Sequence, residues 1–540
     1  MLTELRIENF KAFGKEQRIP IRPITLLFGP NSSGKTSVLQ SLLLLKQTVD
    51  DNKNYDEALK PVGEIIDIDD YYQFINNHDI NKRLSIGFKI STDHDFNFGL
   101  SFFENEDMSS FCDEENNLIA DCKFSFIFSK SKKIELEDYS FSVANMILGS
   151  YRMSHVDSDK ELNDAVFYNL FGEYNSFLRL KYLNDKHPLI ERNWNEFKSK
   201  IKKKLKDLNR ELNKLNYLLK NSKKNDRKSY AELSKRKKEI CNILVKITKY
   251  SFDDFLNDLS LNLNNTALLA YHFLPCWDKY STDDVFEIIG DAADAYSKDI
   301  GIEQTEDNGI GKIAWRVGKT LGEKLNKIIY LGPVRQVLER QYKYSGEFPS
   351  GVGKIGEFTP TILLNDKRIS RKVNKWLEKF EIAYNLSANI SKDQNFRNLF
   401  CINLIDKINN IKVSPTDVGF GISQLLPIIV QGVLSTNNLI LIEQPELHLH
   451  PRLQAEIGTF LAHCIKEKNQ FIVETHSEHL ILRLQKLIRQ KVLKPDDVSI
   501  IYISKENDGS KAQRLHIDEE GDFIDEWPDG FFPERMDEIS

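Results

Sequence analysis

The sequence predicts an α/β fold: a glycine-rich loop between a buried strand and a helix, further apolar strands near the C-terminus, and a helical hairpin between them. Three observations carry this. Ile24-Thr25-Leu26-Leu27-Phe28 is a continuous apolar run, as in a strand covered on both faces. The turn over 29–34 is followed by Ser37-Val38-Leu39-Gln40-Ser41-Leu42-Leu43-Leu44-Leu45, a helix packed on a sheet. Ile201, Leu205, Leu208, Leu212, Leu215 and Leu219 recur at gaps of four and three, the a/d seam of a coiled coil.

Residues 1–28 alternate like strands through Leu5, Ile7 and Phe10 and then Ile19, Ile21 and Ile24. Residues 46–60 are polar and read as a loop. Alternation over 83–104 and 122–142 reads as meander strands. After the heptads, the polar run 221–226 breaks the pattern, and Leu233, Ile240, Leu244 and Ile247 begin a second helix. Residues 251–330 read as mostly helical. Ile328-Ile329-Tyr330-Leu331-Gly332-Pro333 is a strand ending in a turn, followed by Arg335, which reads as a phosphate or carboxylate partner or as an ordinary surface arginine. The glycine-rich stretch 342–357 is either a flexible functional loop or a linker.

Gly29-Pro30-Asn31-Ser32-Ser33-Gly34-Lys35-Thr36 fits G-x-x-x-x-G-K-[ST], the phosphate-binding P-loop. Its glycines let successive N–H groups curl toward a phosphate at a helix N-terminus. Gly29, Asn31, Ser32, Ser33, Gly34, Lys35, Thr36 and Ser37 are therefore candidate nucleotide contacts. Lys35 reaches the phosphates and Thr36 the magnesium ion. The full octet with both flanks weighs against a chance match.

Composition bounds the partners. The chain has 540 residues, 41% hydrophobic and 29% charged, with a net charge of −6. No apolar run approaches the ~20 residues of a membrane span, and the N-terminus has no signal-peptide core, so a cytoplasmic protein is expected. Six scattered cysteines form no C-x-x-C pair. His448, His450, His463, His476 and His479 fit no zinc spacing. From 198 to 249 there are 19 Lys/Arg and 5 Asp/Glu, a local charge of +14 that leaves −20 elsewhere. That stretch is either a basic arm for nucleic acid or an acidic partner, or the solvated face of a coiled coil.

In the C-terminal third, Asn438-Leu439-Ile440-Leu441-Ile442-Glu443 is an apolar strand ending in a carboxylate, a Walker B pattern that holds magnesium. Gln444-Pro445-Glu446 follows. Gln470-Phe471-Ile472-Val473 leads into Glu474-Thr475-His476-Ser477. Upstream, Asp417-Val418-Gly419-Phe420-Gly421-Ile422-Ser423-Gln424 opens a helix. In this order the elements resemble the bipartite ABC-type ATPase heads of the structural-maintenance, double-strand-break-repair, RecF and OLD (overcoming lysogenization defect) group. Leu5–Phe13 is similar to that group's first strand. Asp525-Glu526-Trp527-Pro528-Asp529-Gly530-Phe531-Phe532 is similar to the tail of bacterial OLD-like defence ATPases. The resemblance covers about 1–90 and 400–540.

The resemblance implies a head split between 1–190 and 401–540, a basic hairpin arm at 191–255 and a connecting region at 256–400. It implies ATP and Mg²⁺, with Gln73 as a Q-loop residue and metal ligand beside Thr36 and Glu443. Gly419, Gly421, Ser423 and Gln424 match a signature loop that contacts the γ-phosphate of a second subunit, and His476 matches the switch histidine. A head-to-tail homodimer or higher oligomer follows. Gln444 replaces the usual basic glutamate, so Glu446 is the substitute base and turnover is expected to be slow. About 60 residues follow His476 and hold no acidic nuclease cluster, so the effector is expected on another chain. The first expectation resembles Septu-type and retron-associated antiphage ATPases, which restrain a partner HNH nuclease, with retron RNA–DNA and a reverse transcriptase as further partners. The alternatives are a RecF/SMC-like DNA repair or maintenance ATPase and an ATP-binding scaffold with little turnover.

Overall fold

The computed structural model describes residues 1–50, 58–92, 118–143, 146–155, 176–186, 188–221, 227–257, 268–271, 274–276, 310–390 and 398–528. The chain divides into two units. The first comprises Met1–Ile90, Phe126–Glu135 and Leu321–Ser540; the second comprises Ser91–Ser125 and Leu136–Thr320.

The first unit is built on a six-stranded sheet drawn from both ends of the chain. The N-terminal elements are β1 (Leu2–Glu8), β2 (Gln17–Pro20), β3 (Ile24–Phe28) and α1 (Lys35–Asp50). The later ones are β4 (Ile328–Leu331), α2 (Gly421–Leu434), β5 (Leu439–Glu443), α3 (Pro451–Cys464), β6 (Gln470–Glu474), α4 (Glu478–Arg489), β7 (Val498–Glu506) and β8 (Gly509–Leu515). The sheet order is β4-β5-β6-β3-β7-β8. All neighbours are parallel except β7 and β8, which form an antiparallel edge pair. Every residue of β3, β5 and β6 is buried. Their unbroken apolar runs match this, because a parallel strand covered on both faces has no polar side to alternate with. Pro451 begins α3, where a missing N–H costs nothing, and the Ser477 hydroxyl caps α4 by accepting from the Leu480 N–H. A small antiparallel sheet of Tyr342–Lys343, Leu399–Asp406, Tyr384–Ile390 and Lys412–Val413 belongs to the same unit. β1 pairs antiparallel with β2 and with Leu84–Thr92.

In the second unit, the strand Ile134–Val143 from Leu136 onward, with Met146–His155, Ser176–Leu183, Leu268–Tyr271 and Leu274–Cys276, forms an antiparallel meander. Two helices, Pro188–Asn221 and Arg227–Lys249, make the hairpin. Leu208, Leu215, Ile240 and Ile247 are its buried seam, and Arg236 reaches across to Glu211 at 3.0 Å. Trp194, Phe197, Tyr250, Phe252 and Phe255 pack together at its base.

Several expectations are corrected. The helix after the P-loop runs to Asp50, past the start of the expected loop at 46. Strands Leu268–Tyr271 and Leu274–Cys276 lie within the stretch read as helical. Period alone does not separate short apolar strands from helix turns. The glycine-rich stretch is no free linker. Gly332 N–H bonds to Lys354 O, Gln336 N–H to Ile355 O, and Val352 N–H to the Gln431 side chain, so 351–358 is fastened over the turn after β4. The expected strand residues 93–104 and the tail beyond 528 lie outside the described residues.

Candidate functional site

The P-loop follows β3. Gly29 has φ +140°, and a Cβ there would lie 2.1 Å from the Ile503 carbonyl oxygen, so both conformation and space require glycine. Gly34 has φ +106°. The Lys35 amine is folded back onto the loop, donating to Gly29 O at 2.9 Å and Pro30 O at 2.7 Å. Two of its three donors are thus used. Burial lowers the Lys35 pKa, opposed by Glu474 and then Glu446. The Ser33 hydroxyl is buried without a hydrogen-bond partner, while Asn31 and Ser32 are exposed.

Opposite the loop stand the ends of β5 and β6. Glu443 and Glu474 are register partners on these adjacent parallel strands. Since β6 lies between β3 and β5, Glu474 is the carboxylate that meets the P-loop. Thr36 Oγ1 bonds to its two oxygens at 2.9 and 3.1 Å. Burial pushes Glu474 up to about 7. Glu443 accepts from the Tyr330 hydroxyl at 2.7 Å; burial raises its pKa and that bond opposes the shift. Burial likewise raises Glu446, opposed first by its bond from His476.

Gln444 has φ +43°, a left-handed backbone that is unusual for glutamine. Its peptide is held on both sides, with its N–H on Glu474 O at 2.8 Å and its carbonyl accepting from Arg335 at 3.0 Å. Arg335 also donates to Glu443 O at 2.5 Å. Arg335 is 1% exposed, so the reading of an ordinary surface arginine is corrected. Burial brings its pKa down to about 10, opposed by Glu446, Glu443 and Tyr330.

The remaining candidates divide. Both Glu446 oxygens are occupied, one by Thr475 Oγ1 at 2.9 Å and one by the His476 N–H at 2.6 Å. The His476 ring lies 6.4 Å from Phe28, and burial, then Lys35, lowers its pKa. Ser423 and Gln424 are buried and face their own chain: Ser423 Oγ accepts from the Leu338 N–H at 3.3 Å, and Gln424 bonds the backbone of Arg335. Asp417, Gly419 and Phe420 are exposed in that loop. Gln73 is exposed on the short helix Tyr71–Phe74, with its N–H on Asp70, and makes no side-chain bond to the carboxylates. His450 caps α3, and the His448 ring meets Phe420. Among the described residues no group of three or more His, Cys, Asp or Glu side chains could hold a metal ion.

Arg335, read from the sequence as one of two alternatives, is joined at the site by Glu474, Tyr330 and Lys354, which were not named as site residues from the sequence. Lys354 acts on Glu443 electrostatically and lies over the Tyr330 ring. Only Glu474 carried a readable signal, since it ends an apolar strand as Glu443 does. The donors fit the implied ligands. An unpartnered Ser33 hydroxyl and the Lys35 amine suit phosphate, and a threonine hydroxyl beside carboxylate oxygens suits a hard divalent cation.

A parallel sheet with a P-loop on one strand and a carboxylate ending the next strand but one is the site of a P-loop nucleoside triphosphatase. The chain belongs to the AAA ATPase domain family, whose model matches residues 1–481. Residues 493–540 match a second family, described as a protein of unknown function (DUF3696). No curated protein matches the chain. Among solved structures it is similar to the Smc head domain with an extended coiled coil, bound to the C-terminal domain of ScpA, from Pyrococcus furiosus. That match has 12% identity and a TM-score of 0.36, covering 95% of this chain and 96% of that one. The SMC head domain from Thermotoga maritima matches at 8% identity and a TM-score of 0.34, covering 96% and 99%. Among the described residues no helix is long and apolar enough to cross a membrane.

Proposed function

We propose that the chain is the ATP-binding, slowly hydrolysing switch subunit of an antiphage defence system and controls a separate effector nuclease. The observation that carries the ATP reading is the meeting of Thr36 with Glu474, 438 residues apart, beside Glu443. Lys35, Ser33 and the P-loop backbone bind the phosphates, and Thr36 and Glu443 hold the ion. When bound there, Mg²⁺ would supply charge neutralisation for the phosphates. Gln444 cannot take a proton, so Glu446 remains the candidate base for the attacking water. Its two oxygens already accept hydrogen bonds, which favours slow turnover and also supports the second reading, a scaffold that binds ATP with little hydrolysis. The exposed Gly419 and Phe420 are what a second copy of the chain can reach. The +14 arm over 198–249 is the surface for an acidic partner or nucleic acid.

The deciding experiment is phosphate release by the purified chain, with and without DNA, together with its mass in ATP and in ADP. Slow release and an ATP-dependent dimer support the switch; binding without release leaves the scaffold. Wild-type turnover by Glu446→Gln removes Glu446 as base. Purification from the native operon should retain a nuclease whose activity responds to ATP, and a chain that retains none sinks the effector role. DNA binding by the arm should weaken with salt.

A further inference from the structure

The Walker pattern assigns the ion to Thr36 and Glu443, but the carboxylate lying against Thr36 is Glu474. Both Glu474 oxygens accept from Thr36 Oγ1, and among the described residues no other hydrogen bond reaches that side chain. Glu443 is turned to Tyr330. Glu474 is 5% and Glu443 7% exposed. Among the described residues no Lys, Arg or His pairs with either, and the nearby Lys35 amine rests on the carbonyls of Gly29 and Pro30. Two carboxylates buried side by side with no cation in salt-bridge contact are costly unless they hold protons or a metal ion.

We infer that Glu474 is a ligand of the divalent cation, sharing it with Thr36 beside Glu443. This rests on the ATP reading above. Mg²⁺ is ordinarily held by one or two carboxylates plus substrate phosphates, not by an all-protein cage. A threonine hydroxyl and two strand-end carboxylates meet that need. Gln73, the other expected ligand, is exposed on its short helix. The hydroxyl proton now shared between Thr36 and Glu474 marks where oxygen lone pairs of both residues converge.

The test uses the full chain with a non-hydrolysable ATP analogue and Mn²⁺ as the probe ion, read by electron paramagnetic resonance. Nucleotide binding in EDTA is measured alongside. Glu474→Gln keeps the shape of the side chain, removes a negative charge beside the phosphates and should bind nucleotide in EDTA at least as tightly as wild type. Its nucleotide complex should bind Mn²⁺ at least about tenfold more weakly, a loss seen even for residues that only orient a metal ligand. Mn²⁺ affinity within about twofold of wild type overturns the inference while leaving the ATP reading intact. A wild-type chain that binds no nucleotide overturns both.

Discussion

The side-chain amide of Gln424 closes on the backbone of Arg335 from both sides. Its oxygen accepts from the Arg335 N–H at 3.0 Å, and its nitrogen donates to the Arg335 carbonyl at 2.9 Å. The first turn of α2 is thereby tied to the residue whose guanidinium holds the end of β5. Gln424→Leu fills the space but leaves a buried N–H and a buried carbonyl unpaired. Each costs about 1–3 kcal/mol. The midpoint of urea unfolding should fall with an unchanged slope, and an unmoved midpoint would contradict this tie.

Arg335→Lys should not rescue Arg335→Gln. The planar guanidinium donates to the carbonyls of Glu443 and Gln444 at once, and an ammonium lacks that fork. Both variants should lower ATP turnover more than ATP affinity, because the guanidinium touches the strand end and not the P-loop. Steady-state kinetics in which only KM changes would reject this.

Lys35→Ala should abolish measurable ATP binding by calorimetry while preserving the fold. Its amine hydrogen-bonds only to the carbonyls of its own loop, so its loss breaks no salt bridge and no contact between elements. Retained affinity would show that the phosphates bind elsewhere.

The Glu474 carboxyl gives a pH signature in the metal-free, nucleotide-free chain. An ordinary glutamate titrates near 4.5, and burial pushes this one up to about 7. Between those values the folded chain holds a proton that the unfolded chain has released. Its contribution to stability is therefore full below 4.5 and falls as pH rises, with the loss complete above about 7. Glu474→Gln stays neutral. It should be more stable than wild type at pH 8 and nearly level with it at pH 5, as read by urea unfolding in EDTA. An equal difference at both pH values would refute the assignment.

Ile240 is fully buried in the hairpin seam. Ile240→Ala should cost about 2–5 kcal/mol of hairpin stability, visible as earlier loss of helical circular dichroism on heating. An unchanged melt would mean the seam is not what holds the arm.

Much of this architecture was legible because it is written locally. Continuous apolar runs marked β3, β5 and β6, and gaps of four and three marked the hairpin. Glycines at 29 and 34 marked a loop that other residues cannot form. Each signal lies within a few consecutive residues, where backbone sterics and burial of one face decide the outcome. The burial of Arg335 was illegible, because an arginine after a turn looks the same whether solvent or carbonyl oxygens surround it.

The sequence by itself determined that a P-loop with Lys35 and Thr36 exists, that a carboxylate strand ends at Glu443, and that a glutamine, Gln444, follows it directly. Only the tertiary structure decided which carboxylate faces Thr36. Strand order is set by packing between segments far apart in the chain, and it places β6 between β3 and β5. That one insertion brings Glu474 to the threonine hydroxyl, leaves Glu443 with Tyr330, and fastens Glu446 to Thr475 and His476.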